Sequence, residues 1–303
     1  MKSIRLAVWS LALLGVAGSA GANPLVVSGV TASAPNALIL AQLLAGAGIT
    51  VDSATLTGSN AAAGGAFQQG SFTGGTGIIP FDAGVILTSG NALSAPGPNN
   101  SGSQTTSWGT PGDAQLNLLA GGATTDANIL TFTFHKTDVT APDVVSFQYV
   151  FASEEYNEYV GSQFNDVFGF FLNGTNIALV PSTTSPAAIN SINCTSNASY
   201  YQSNGPSTCS GASTNVNTQY DGIAGGLGSL SLFATGNLIA GENTISLKIA
   251  DTGDTNLDSA VFLKAGSFIN APPPVGEVPE PASLILMGSG LAYAIRRRRQ
   301  AAK

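Results

Sequence analysis

The stretch "VVSFQYVFASEEYNEYVGSQFNDVFGFFLNG", residues 144–174, decides how the rest of the chain is read. Its first part alternates Val145, Phe147, Tyr149 and Phe151 with Ser146 and Gln148. That period of two belongs to a strand, which sends successive side chains to opposite faces. The middle carries Glu154, Glu155, Asn157, Glu158, Asn165 and Asp166, an oxygen-rich patch with no Lys or Arg in it. A greasy strand that runs into a cluster of carboxylates raises two questions: which surfaces bury the strand, and what meets the charge.

Outward from this stretch the alternation recurs. In "NILTFTFHKT" (128–137) Leu130, Phe132 and Phe134 alternate with Thr131, Thr133 and His135, and "TISLKIAD" (244–251) repeats the pattern with Ile245, Leu247 and Ile249. "SAVFLKAGSF" (259–268) follows after a short acidic loop. These segments predict half-buried antiparallel strands. One helix is expected early, over "APNALILAQLLAGAG" (34–48), with Ser33 as its cap, Pro35 in the first turn and Gly46 at its end. The Pro-, Gly- and Ser-rich run "SAPGPNNSGSQTTSWGTPG" (94–112) predicts a long surface loop. No internal repeat is found. The expectation is a mainly β protein with a single antiparallel β-sandwich or jelly-roll-like domain over residues 23–270 and one or two short helices.

Charge is sparse and unevenly placed. Of ten basic residues, only Lys136, Lys248 and Lys264 lie between residues 23 and 270, against fifteen Asp and Glu there. Such a body has nothing to neutralise phosphates, which excludes nucleic acid as a partner. It suits hard cations and neutral polymers.

The two ends read as addresses. Lys2 and Arg5, the apolar run Leu6 to Ala17 and the small residues Ala20-Gly21-Ala22 form a signal-peptide pattern over residues 1–22, with cleavage expected after Ala22. At the other end Val278-Pro279-Glu280-Pro281 precedes an uncharged run, Ala282 to Ile295, and the block Arg296, Arg297, Arg298 and Arg299. As a transmembrane helix that run covers about 21 Å at ~1.5 Å per residue, short of a bilayer core of about 30 Å. The arginines stop it on the cytoplasmic side. Pro272-Pro273-Pro274 begins a stiff spacer over residues 271–277. Residues 278–303 resemble a PEP-CTERM sorting signal. The resemblance implies export across the inner membrane of a Gram-negative bacterium, transient anchoring, cleavage by an exosortase-type membrane protease and delivery to the cell surface or extracellular matrix. An ordinary C-terminal anchor is the alternative. Export places Cys194 and Cys209, the only cysteines, in an oxidising compartment, where a disulfide between them is expected and two free thiols are the alternative.

Carboxylates concentrate in "FASEEYNEYVGSQFNDVFGFFLNG" (151–174) and "IADTGDTNLDSAVFLKAGSF" (249–268). These blocks resemble the choice-of-anchor L domain, over roughly residues 25 to 270. That resemblance implies a secreted, largely β module and brings no activity with it. From the residues themselves, Glu154, Glu155, Asn165, Asp166, Asp251, Asp254 and Asp258 are candidate calcium ligands, with Asn256 beside them, because calcium takes six to eight oxygens of this kind. Scarce lysines favour that reading; the alternative is that Asp and Asn cap turns. Catalysis has little to stand on. His135 is the only histidine, no G-x-S-x-G is present, and the pair Glu154 and Glu158 is the one candidate for a polysaccharide hydrolase. The first expectation is therefore a non-enzymatic surface or matrix protein with calcium as a candidate stabiliser. The second is an exopolysaccharide-binding module using Tyr156, Tyr159, Tyr200 and Tyr201.

Overall fold

The computed structural model describes residues 24–59, 65–205 and 215–274. The signal peptide, the Pro-Glu-Pro motif, the apolar run with its arginines, and Cys209 fall outside these residues. Among the described residues no helix is long and apolar enough to cross a membrane.

In chain order the elements are β1 (Val26–Gly29), α1 (Ala34–Leu44), β2 (Ile49–Thr57), β3 (Gln69–Thr73), β4 (Gly84–Thr88), α2 (Ala114–Ala120), β5 (Thr124–Lys136), β6 (Val144–Ser153), β7 (Val167–Leu172), β8 (Thr175–Asn176), β9 (Tyr201–Ser203), β10 (Gly222–Ala224), β11 (Leu232–Asn237), β12 (Asn243–Thr252) and β13 (Ser259–Lys264). They form two antiparallel sheets. The larger runs β1-β3-β4-β13-β6-β10-β9, with β11 also beside β6, and the smaller runs β2-β5-β12-β7-β8. Strand β6 is the hub: β13 pairs along one edge, while β10 and β11 share the other in succession.

The alternation read from the sequence is what joins the sheets. Val145, Phe147, Tyr149 and Phe151 of β6 meet Leu130, Phe132 and Phe134 of β5, Phe168 and Phe170 of β7, and Ile245, Leu247 and Ile249 of β12 in one core. Helix α1 closes this core with Ala37, Leu40, Ala41 and Leu44. Phe268 sits at the junction, its ring 4.9 to 5.5 Å from those of Phe132, Phe134 and Phe147.

Half-burial holds for β5, whose His135 is exposed, and fails for β6. Its second face, carrying Val150 and Ala152, packs in a separate cluster with Phe72, Ile86, Ile223 and Phe262, covered by Ile79, Phe81, Ala92, Ala95 and Tyr220 from irregular segments. Loops here do the work that a third layer does elsewhere. This explains why so long a stretch of non-regular chain is retained.

The local helix signals divide. Ser33 stands at the N-cap of α1 but its hydroxyl makes no capping bond, and the helix ends at Leu44. Gly46 is needed for a different reason: a Cβ there would lie 2.1 Å from the Gly266 carbonyl oxygen. The short α2 is the second of the one or two short helices expected, at a place the sequence did not mark. It is started by Asp113, whose carboxylate accepts from the N–H groups of Gln115 and Leu116, and stopped by Gly121 in the left-handed region at φ 74°.

Phe268→Ala removes the ring shared by three aromatic neighbours and is expected to cost about 3–5 kcal/mol. A chemical denaturation midpoint within error of wild type would contradict that role.

Candidate functional site

Register brings the acidic segments to one end of both sheets. Gly222 and Ser259 both lie opposite Ser153, so Asp221 and Asp258 arrive beside Glu154 and Glu155 at the end of β6. Val167 lies opposite Ala250 and Asp251 opposite Thr125, which adds Asp166, Asp251 and Asp126 from the smaller sheet. All seven carboxylates are buried, none more than 2% exposed. Ion pairs among the described residues go elsewhere: Lys136 to Asp143, Lys248 to Asp113 and His135 to Asp52. Lys264 bonds Gln148.

Part of the charge is met by backbone. The predicted surface loop is a strap laid across this end of the sandwich. Every second N–H of one stretch faces inward: Gln104 donates to Glu154 (3.4 Å), Thr106 to Asp258 (2.7 Å), and Trp108 and Thr110 to the two oxygens of Asp126 (2.9 and 2.7 Å). Asn91 N–H takes the other oxygen of Asp258, and the Asn99 amide donates to Asp221 at 2.6 Å. Asp166 accepts from Thr252 N–H and from the Ser259 hydroxyl. These bonds give Asp126, Asp166 and Asp258 contacts of the turn-fastening kind weighed in the sequence beside metal binding.

Other oxygens are left over. Glu154 Oε1, Glu155 Oε2, Asp221 Oδ2 and both oxygens of Asp251 are buried without a donor in hydrogen-bonding geometry, although the Ser89 hydroxyl lies alongside Asp251. Burial drives the carboxyls upward. Glu154 is pushed to about 9 by burial and then by the charge of Asp221, and Glu155 to about 9 by burial and then by Asp166. Asp221 and Asp258 rise to about 6, again chiefly through burial. Asp251 and Asp166 rise for the same reason. Among the described residues no group of three or more Asp, Glu, His or Cys side chains is arranged to hold a metal ion.

Of the seven candidate ligands named from the sequence, Glu154, Glu155, Asp166, Asp251 and Asp258 share this end. Asp254 joins Glu155 in lining a cavity of about 310 Å³ with Ser103, Thr105, Tyr159 and Phe164. Asn165 is turned away, its side-chain oxygen accepting from Asn190 N–H at 2.9 Å. Asp126 and Asp221 were missed, since each stands alone in its local sequence and only strand pairing adds it to the cluster. Among the tyrosines, Tyr156 is wholly buried with its hydroxyl on the Ile192 carbonyl, which removes it from any exposed sugar-stacking set. Tyr159 is 38% exposed, packed edge-on against Phe164. Cys194 Sγ lies 3.7 Å from Asn157 Oδ1.

The raised carboxyls set the direction of the pH dependence. In the unfolded chain Glu titrates near 4.3, whereas folded Glu154 and Glu155 keep their protons to about 9. Between those values the folded state binds more protons, so stability falls as pH rises. In chelator the thermal midpoint is expected to be higher at pH 5 than at pH 8.5, and Glu155→Gln should flatten the slope. A midpoint that climbs over this range would refute the assignment.

Comparison with known proteins places these features. No curated protein and no solved structure shows significant similarity to the chain. Residues 277–299 match the PEP-CTERM protein-sorting motif. That motif marks an exported surface protein sorted through the inner membrane by exosortase. Residues 27–269, most of the chain, match the choice-of-anchor L domain. On that match the chain belongs to the choice-of-anchor L family.

Proposed function

We propose that this is a non-enzymatic component of the cell surface or extracellular matrix, anchored briefly in the inner membrane, released by cleavage near Pro279-Glu280-Pro281 and stabilised by calcium. The observation that carries the reading is the sorting motif at residues 277–299 on a β body of the choice-of-anchor L family. Electrostatics support it. A body whose lysines are all engaged away from its buried carboxylates has no internal means of neutralising them. A cation taken up outside the cell meets that need. A Cys194–Cys209 disulfide fits the same compartment and would close the segment 194–209 that carries β9.

Mass spectrometry of the protein from its host tests the route. The expected mature chain starts at Asn23 and ends near residues 278–281. Replacing Arg296, Arg297, Arg298 and Arg299 by Ser should remove the stop that holds the tail for cleavage, leaving the C-terminus unprocessed. Recovery of wild type with both termini intact would overturn the proposal.

Binding of exopolysaccharide is the second reading, favoured by the cavity beneath Tyr159. Its wall combines aromatic rings with the hydroxyls of Ser103 and Thr105, the Asn256 amide and two carboxylates, the mixture that meets sugar rings and their hydroxyls. Tyr159→Ala should weaken retention on the host's polysaccharide at least tenfold. Equal retention of variant and wild type would remove this reading.

A further inference from the structure

The leftover oxygens are not equivalent. Asp251 lies among Asp166, Asp258 and Asp126 with the Ser89 hydroxyl alongside, and burial drives its carboxyl upward. Glu154 and Asp221 lie together under the strap, 1% and 0% exposed, each with one oxygen engaged and one without a donor. Side-chain amides and backbone carbonyls of the strap lie beside them. Gln219, beside Glu154, donates its amide N–H to the Ser101 carbonyl at 2.7 Å and to Asn99 Oδ1 at 3.3 Å. Asn99 in turn donates to Asp221 Oδ1 and to the Asn204 carbonyl. At Gly102 the direction of a side chain opens onto Asp221 Oδ2, 3.5 Å from where a Cβ would stand.

We propose that a hard divalent cation, calcium by its chemistry, binds between Glu154 Oε1 and Asp221 Oδ2 and takes its remaining ligands from amide, backbone and water oxygens of the strap around Asn99 to Gly102. Two carboxylates completed by neutral oxygens agree with the absence of any three-acid group arranged for a metal among the described residues. A site of this low charge binds on the order of 10⁻⁴–10⁻³ M, as extracellular calcium modules do. Its consequence is mechanical. The ion ties the strap to the ends of β6 and β10, so a loop already held by its N–H groups and lining the cavity at Tyr159 gains this further fastening only outside the cell, where calcium is plentiful. The inference rests on the calcium reading above and names its site.

The test uses the full chain in detergent at pH 8, melted in chelator and in ~10 mM calcium. Wild type is expected to gain about 5 °C or more in calcium. Glu154→Gln and Asp221→Asn should lose most of that gain and melt in chelator at or above wild type, because Gln replaces a carboxyl that must otherwise take up a proton on folding at pH 8 and Asn removes an uncompensated buried charge. Asp254→Asn should keep the gain. A wild type indifferent to calcium overturns the calcium reading as a whole. A gain preserved in Glu154→Gln and Asp221→Asn overturns this site alone. Should either variant fail to fold, terbium luminescence excited through Tyr201, whose hydroxyl senses Asp221, supplies the readout in wild type. Its absence, or its persistence in excess calcium, counts against the site.

Discussion

Seven carboxylates are buried at one end of this molecule with no ammonium or guanidinium among the described residues to meet them, and the rest of the architecture answers to that constraint. A buried ionised carboxyl without partners costs several kcal/mol, so each must accept hydrogen bonds, keep its proton or take a cation. The fold uses the first solution wherever backbone can reach. Asp126, Asp166 and Asp258 have both oxygens engaged, most of them by main-chain N–H groups. Burial raises carboxyls even so, furthest where an oxygen is left without a donor, as in Glu154 and Glu155, and less in Asp258, whose two oxygens accept main-chain N–H groups.

This makes the strap and the sandwich interdependent. Beyond the short 3-10 turn at Ala92–Ser94, residues 95–110 have no helix or strand of their own to satisfy their N–H groups, and the acidic end has no side-chain cations to satisfy its oxygens. Each supplies what the other lacks. Four donors at alternate positions from 104 to 110 reach three carboxylates, Glu154, Asp258 and Asp126. The same segments that fasten the charged end also bury the second face of the larger sheet through Ala92 and Ala95. Polar fastening and apolar covering are thus carried by one stretch of chain.

The position of this end bears on function. The cavity lined by Glu155, Asp254 and Tyr159 is also lined by Ser103 and Thr105 of the strap, so whatever fixes the strap also shapes the cavity. An exported protein meets its final ionic conditions only after crossing the membrane, and a low-charge cation site would complete this end only there. The family match supplies the export route and leaves the chemistry of the body to these residues.

The sequence by itself determined the class of structure and the destination. Period-two alternation in β5, β6 and β12 is a local property, visible in any short window, and it named the core residues that the sheets later brought together. The tail is equally local, since a Pro-Glu-Pro motif, an apolar run and four arginines act as linear text. What only the tertiary structure decided is long-range. That β6 is covered on both faces depends on loops distant in sequence. Asp126 and Asp221 enter the acidic end through pairings across many residues, while Asn165, adjacent to Asp166 in the chain, turns away to hold Asn190. Neighbouring side chains of extended chain point in opposite directions, so proximity in sequence says little about which oxygens converge. The register of β6, β10, β12 and β13 selects them, and register is set by the whole pattern of buried faces.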